Sequence, residues 1–206
     1  MLSAGRGALF LTALSAISQL LGFGYRVVLS RLVGAEVMGL YQLIMPVYSV
    51  IMSLTAVGLV SAASNLTSQY LALGNRKAVD QTLSTCMKLF FLLLFPVGTA
   101  VVLGSDAISV YLLGDARTQL GLILLVPCVA LTGVENCHKH CFYGSGIVRP
   151  PAIVELLEQF VRTIAVIALL VIFLPQYPER VVGLIVAGMV ICEIFSSCTL
   201  LILYRR

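Results

Sequence analysis

The sequence predicts an all-α polytopic transmembrane bundle of six spans. Three observations carry that expectation. Apolar residues make up 60% of the 206-residue chain and charged residues only 11%, against roughly 25% charged in soluble domains. Mean hydropathy is +1.05. Long apolar runs recur along the whole chain, separated by breaks rich in Gly, Pro and charge. A span takes about 20 residues plus a short loop, so this length holds roughly six to eight. Runs of that length close their hydrogen bonds in lipid as helices. The same figures exclude a soluble globular domain, a disordered tail and a nucleic-acid-binding module.

The elements follow in order. The first span runs over about 8–33 and closes at the turn Gly34-Ala35-Glu36. The second runs over about 40–71, contains Pro46, and ends in the polar loop Gly74-Asn75-Arg76-Lys77. The third covers about 79–103. Gly104-Ser105-Asp106 and Gly114-Asp115-Ala116-Arg117 bracket a short amphipathic connector. The fourth covers about 118–143 and holds Pro127. Gly144-Ser145-Gly146 and Arg149-Pro150-Pro151 break the chain. The fifth covers about 152–174, and Pro175-Gln176-Tyr177-Pro178 turns it into the sixth, about 181–204. Together these form one lobe over 1–206. Ser64, Asn65 and Gln69 near the end of span two are either cavity polar groups or an interfacial helix end.

Lys and Arg set the expected orientation. With a cytoplasmic N-terminus, the inner side holds Arg6, Arg76, Lys77, Lys88, Lys139, Arg149, Arg205 and Arg206. The outer side holds Arg31, Arg117 and Arg180. That bias places both termini in the cytoplasm of a cell-membrane protein. The weakly basic N-terminus and the long first run do not fit a cleaved signal peptide. The six Cys (86, 128, 137, 141, 192 and 198) show no C-x-x-C pair and no secreted disulfide framework.

Charges at membrane depth are costly and mark functional or paired positions. Arg162 and Glu158 lie in span five at the i, i+4 spacing that lets side chains meet. Glu193 lies deep in span six. Arg26 lies in the outer third of span one beside Gly22 and Gly24. One reading makes Arg26 and Arg162 line an aqueous cavity and attract an anion, since guanidinium binds phosphate through two parallel donors. The other makes these residues structural pairs: Glu158 with Arg162, and Glu193 with Arg26 or Arg162. Cys137-His138-Lys139-His140-Cys141 has the composition of a metal box, but one helix presents too few of these ligands on one side for zinc. Lys139 reads instead as a snorkelling residue at a cytoplasmic helix end. No metal and no cofactor are expected. No nucleophile with a paired base and no phosphate-binding Gly loop appears, so an enzyme is not expected.

Several of these residues carry a resemblance. The run Leu21-Gly22-Phe23-Gly24-Tyr25-Arg26-Val27-Val28-Leu29-Ser30-Arg31-Leu32-Val33-Gly34 resembles the first-span signature of the polysaccharide-exporter branch of the multidrug/oligosaccharidyl-lipid/polysaccharide (MOP) flippase superfamily. Gly39-Leu40-Tyr41-Gln42 and Pro46 continue it. Leu157-Glu158-Gln159-Phe160-Val161-Arg162, the Phe142-Tyr143-Gly144 turn and the Glu193 span are similar too. The resemblance implies two six-helix lobes working by alternating access on lipid-linked saccharide precursors of cell wall, polysaccharide or spore. It matches the N-terminal lobe, so a second lobe or chain is an expected partner, alongside the bilayer and an anionic lipid-linked saccharide. It also implies substrate-binding roles: Arg26 and Arg162 on the pyrophosphate, with Glu158 and Glu193 holding or releasing them. A cation-coupled multidrug antiporter of the same superfamily, or a half-length membrane scaffold without transport, stays open.

Overall fold

The computed structural model describes residues 4–205, with side chains from 12 to 204. Arg206 and the side chains of Arg6 and Arg205, counted above toward orientation, lie outside the described residues. The long helices are α1 (Ala4–Thr55), α2 (Val57–Ala72), α3 (Arg76–Leu103), α4 (Gln119–Gly144), α5 (Arg149–Phe173) and α6 (Val181–Arg205). The α3–α4 connector is a helical turn at Ser105–Ala107, a wider π turn at Ile108–Leu112 and a tight 3-10 turn at Ala116–Thr118. There is no strand among the described residues. The protein is an all-α polytopic membrane bundle.

Among the described residues, five helical stretches, not six, are long and apolar enough to cross a membrane: Thr12–Thr55, Arg76–Leu103, Ala116–Gly144, Arg149–Phe173 and Pro178–Tyr204. The difference arises between residues 34 and 56. The expected turn at 34–36 is a single-residue break: Gly34 takes φ 79° and ψ 172°, and helix resumes directly after it. Glycine reaches that positive φ without a Cβ clash, so one residue suffices to redirect the chain. A straight 52-residue helix would be about 78 Å long, and Gly34 divides α1 into two arms instead. The expected second span is itself cut at Ala56, with φ −113°. Thr55 Oγ1 donates back to the Ile51 carbonyl at 2.7 Å just before this bend. The 16 residues of α2 reach only about 24 Å, less than the hydrocarbon thickness.

The remaining expected spans match the observed helices within a few residues, because their ends carry local signals. Gly74 at φ 72° ends the turn after α2. Asn75 then caps α3, its Oδ1 accepting from the Ala78 amide at 3.2 Å. Pro150 and Pro151 lie in the first turn of α5, where a missing N–H costs nothing.

Gly34 also divides the packing. The arm before it contributes Tyr25 and Leu29 to a core with Val166, Leu170, Val181 and Ile185 of α5 and α6. The arm after it contributes Leu40, Ile44 and Ile51 to a core with Phe90, Leu94, Leu122, Leu125 and Val129 of α3 and α4. α6 is the most enclosed of the membrane-length helices. Leu92, Phe95 and Leu103 of α3 and Ile172 of α5 point outward, as suits a surface whose solvent is lipid. Two glycines set close helix contacts. Gly133 of α4 faces the Phe90 ring, and Gly188 of α6 lies on Val166 of α5, where any Cβ would meet Val166 backbone. Small residues that let backbones approach are how helices pack in lipid.

Candidate functional site

The Gly188–Val166 contact sits about one turn from the charged residues of α5 and α6, and it fixes their separation. On α5, Arg162 Nη2 donates to Glu158 Oε1 at 2.5 Å. The same nitrogen reaches Glu193 Oε1 of α6 at 3.3 Å. Glu193 is the midpoint of its 25-residue helix. Two further bonds hold α6 in register: Cys192 Sγ donates to the Glu158 carbonyl at 3.2 Å, and Ser197 Oγ donates to the Leu131 carbonyl at 3.0 Å.

α4 adds a second i, i+4 pair. Lys139 Nζ lies 2.5 Å from Glu135 Oε1, a close ion pair. Lys139 Nζ also donates to Glu158 Oε2 at 3.3 Å. Glu158 therefore bridges both cations, one through each oxygen. The result is a continuous network of five charged groups from three helices. Its carboxylates are deeply buried: Glu135 is 1% exposed, Glu193 2% and Glu158 6%. A carboxylate from each of the three helices approaches the others within 4.8 Å. Pairing of this kind offsets the cost of charge at membrane depth.

The network has one open edge. The Arg162 side chain is 22% exposed, while its Nε is buried without a hydrogen-bond partner. Tyr25 and Tyr41 of α1 lie near Arg162. Tyr41 donates to Met189 Sδ at 3.7 Å, while the buried Tyr25 hydroxyl lacks a partner. Both tyrosines lie within electrostatic reach of Arg162 and of Arg26. Arg26 itself is exposed.

Of the residues singled out in the sequence, Glu158, Arg162 and Glu193 converge in one network. Arg26 stays outside it: the partner of Glu193 is Arg162. Lys139 corrects an expectation. It does not snorkel to a cytoplasmic surface; its side chain is only 12% exposed and is drawn inward by two carboxylates. The Lys/Arg bias remains without it. Glu135 escaped the sequence reading altogether. Its i, i+4 spacing to Lys139 repeats that of Glu158 to Arg162 and was the signal available. The neighbouring Cys and His residues serve packing. Cys137 and Cys141 sit in a small core with Cys86 and Ala63, and His138 pairs with the Val134 carbonyl at 2.8 Å beside the Tyr204 ring. Asn65 and Gln69 are exposed on α2, and Ser64 is half-buried.

A family described as "Polysaccharide biosynthesis protein" matches residues 4–206. Stage V sporulation protein B of Bacillus subtilis (strain 168) is 27% identical over 200 residues, which is 97% of this chain and 39% of that protein. The chain thus spans about two-fifths of the length of this curated relative. No solved structure matches it significantly.

Proposed function

Because the chain belongs to the polysaccharide biosynthesis protein family, we propose that it forms the N-terminal lobe of a flippase for a lipid-linked saccharide precursor, with Arg162 and Arg26 receiving the pyrophosphate. The supporting observation is the state of Arg162. Two carboxylates hold its guanidinium through Nη2, yet 22% of its side chain is exposed. Guanidinium keeps its charge and offers parallel donors to phosphate, so the open edge suits a pyrophosphate better than a neutral lipid. Exposed Arg26, whose charge reaches Tyr25 and Tyr41 as that of Arg162 does, supplies a second cation. Glu158 and Glu193 then hold Arg162 in the empty site and yield to the anion. Transport itself calls for a second lobe around the site.

Binding tests this most directly. The probe is a polyprenyl-pyrophosphate saccharide added to the protein in nanodiscs. Arg26→Gln and Arg162→Lys should each weaken binding by about tenfold, the scale of one charge-assisted hydrogen bond. Arg162→Lys keeps the charge and loses only the planar fork. Wild-type affinity in both variants would reject the anion site. A cytoplasmic α2–α3 turn is part of the same proposal, on the Lys/Arg bias. A cysteine replacing exposed Lys77, in a background without native Cys, should resist an impermeant thiol reagent in intact cells.

A further inference from the structure

The network does not balance its charge. Glu135, Glu158 and Glu193 face only two cations, Lys139 and Arg162. The other titratable groups acting on Glu193 are Tyr48 of α1, Cys128 of α4 and Cys192 beside it, none of which supplies positive charge. One negative charge is therefore left over at membrane depth, where an uncompensated ion is costly. The surplus has a location. Both oxygens of Glu158 are engaged by Arg162 and Lys139. Glu135 Oε1 is held by Lys139, but Glu193 Oε2 is buried and accepts no hydrogen bond, and the two carboxyl groups approach within 4.8 Å. Ser196, one turn along α6 and fully buried, is directed at Glu135, and its hydroxyl also lacks a partner. The pocket thus crowds two buried carboxylates together with one negative charge too many.

We propose that Glu135 and Glu193 bind one exchangeable proton between them, taken from water. A proton supplies the missing positive charge, and the carboxyl that carries it can donate one hydrogen bond to the other carboxylate. A metal ion fits less well: calcium takes six to eight oxygens and magnesium about six, whereas Glu158 is already saturated and two cationic side chains stand alongside. With the proton on, Glu193 holds Arg162 less tightly. With it off, Arg162 is clamped. That consequence for anion capture rests on the flippase reading; the proton site does not.

Infrared difference spectroscopy on the full chain in nanodiscs tests the site without any transport. A protonated-carboxyl C=O band should be present at neutral pH. Glu193→Gln and Glu135→Gln should each abolish it, since removing either carboxylate cancels the surplus charge. Ser196→Ala should keep the band and shift its frequency, and this milder variant decides the matter if the Gln variants do not fold. Absence of the band at neutral pH, its persistence in both Gln variants, or an unshifted band in Ser196→Ala would overturn the proposal. So would loss of the band on adding Na+ or Mg2+ at fixed pH, which would identify a metal cation as the occupant.

Discussion

Two ion clusters in this molecule have nearly the same distances and opposite surroundings. In the first, Arg117 Nη2 lies 2.8 Å from Glu36 Oε1 and its Nε lies 3.3 Å from Asp115 Oδ2, with side chains 45%, 72% and 25% exposed. In the second, Arg162 makes contacts of 2.5 and 3.3 Å to carboxylates that are almost fully buried. Distance alone would rank them equal. Environment separates them. An exposed pair exchanges water for a partner at little gain. A buried pair cannot lose one member without stranding the other in a low dielectric. The exposed cluster is therefore a fastening between a loop and a helix arm, and the buried one is a commitment of three helices to one arrangement.

The largest effect that would test this contrast is loss of Glu158, the residue that bridges both cations. Glu158→Ala leaves Lys139 to Glu135 alone and Arg162 to Glu193 alone, and should destabilise the bundle by about 3 kcal/mol, the scale of two charge-assisted hydrogen bonds lost at once. Thermal unfolding in detergent measures it; a wild-type midpoint would show the network to be wet and weak. The charge swap Glu158→Arg with Arg162→Glu sharpens the point. An isolated i, i+4 pair tolerates exchange with small loss. Here the swap sets a guanidinium beside Lys139 and a carboxylate beside Glu193, so the double variant should be no more stable than Glu158→Ala. Recovery to wild-type stability would mean that the cross-helix contacts contribute nothing.

A smaller effect is expected at Gly188. A Cβ there meets both the side chain and backbone of Val166, so Gly188→Ala must push α5 and α6 apart. Overpacking of this kind costs about 1–3 kcal/mol. The displacement should also lengthen the 3.3 Å Arg162–Glu193 contact and weaken binding of a pyrophosphate lipid, although Gly188 carries no charge. An unchanged unfolding midpoint together with unchanged binding would remove Gly188 from the account of the site.

The sequence was informative where the physics is local. Asn75 after Gly74, and Pro150-Pro151 at the start of α5, mark helix ends by capping and by proline's missing N–H, and those helices lie where the residues placed them. Gly34 was legible as a break but not as a single-residue one, since composition does not say how soon helix resumes. The Thr55–Ala56 bend has no proline or glycine at it and left no comparable mark. In the site, Glu158 and Arg162 were legible as one pair because helical spacing fixes their contact. Glu135 with Lys139 has the same spacing, but Lys139 so near a loop reads as an interfacial residue. Its inward turn is decided by Glu158 on another helix, a tertiary fact. The same holds for the choice of Arg162 rather than Arg26 as partner of Glu193, which depends on how closely α6 lies on α5.

The smallest effect belongs to the exposed cluster. Arg117→Gln removes contacts to Glu36 and Asp115 while the backbone bond from the Arg117 amide to Asp115 Oδ1, at 2.8 Å, survives. The turn should therefore keep its shape, and the unfolding midpoint should not move measurably. A local consequence is still expected. Glu36 stands two residues past the Gly34 break, on the arm that packs against α3 and α4, so its contact with Arg117 fastens the start of that arm to the turn before α4. Without it, backbone amides just after Gly34 should exchange hydrogen faster, while those near Glu158 and Glu193 keep their protection. Raising the salt concentration on the wild type should reproduce the same local change, because exposed charges are screened and buried ones much less so. If Arg117→Gln instead lowered the midpoint as far as Glu158→Ala does, burial would not be what distinguishes the two clusters, and the contrast drawn between them would fail.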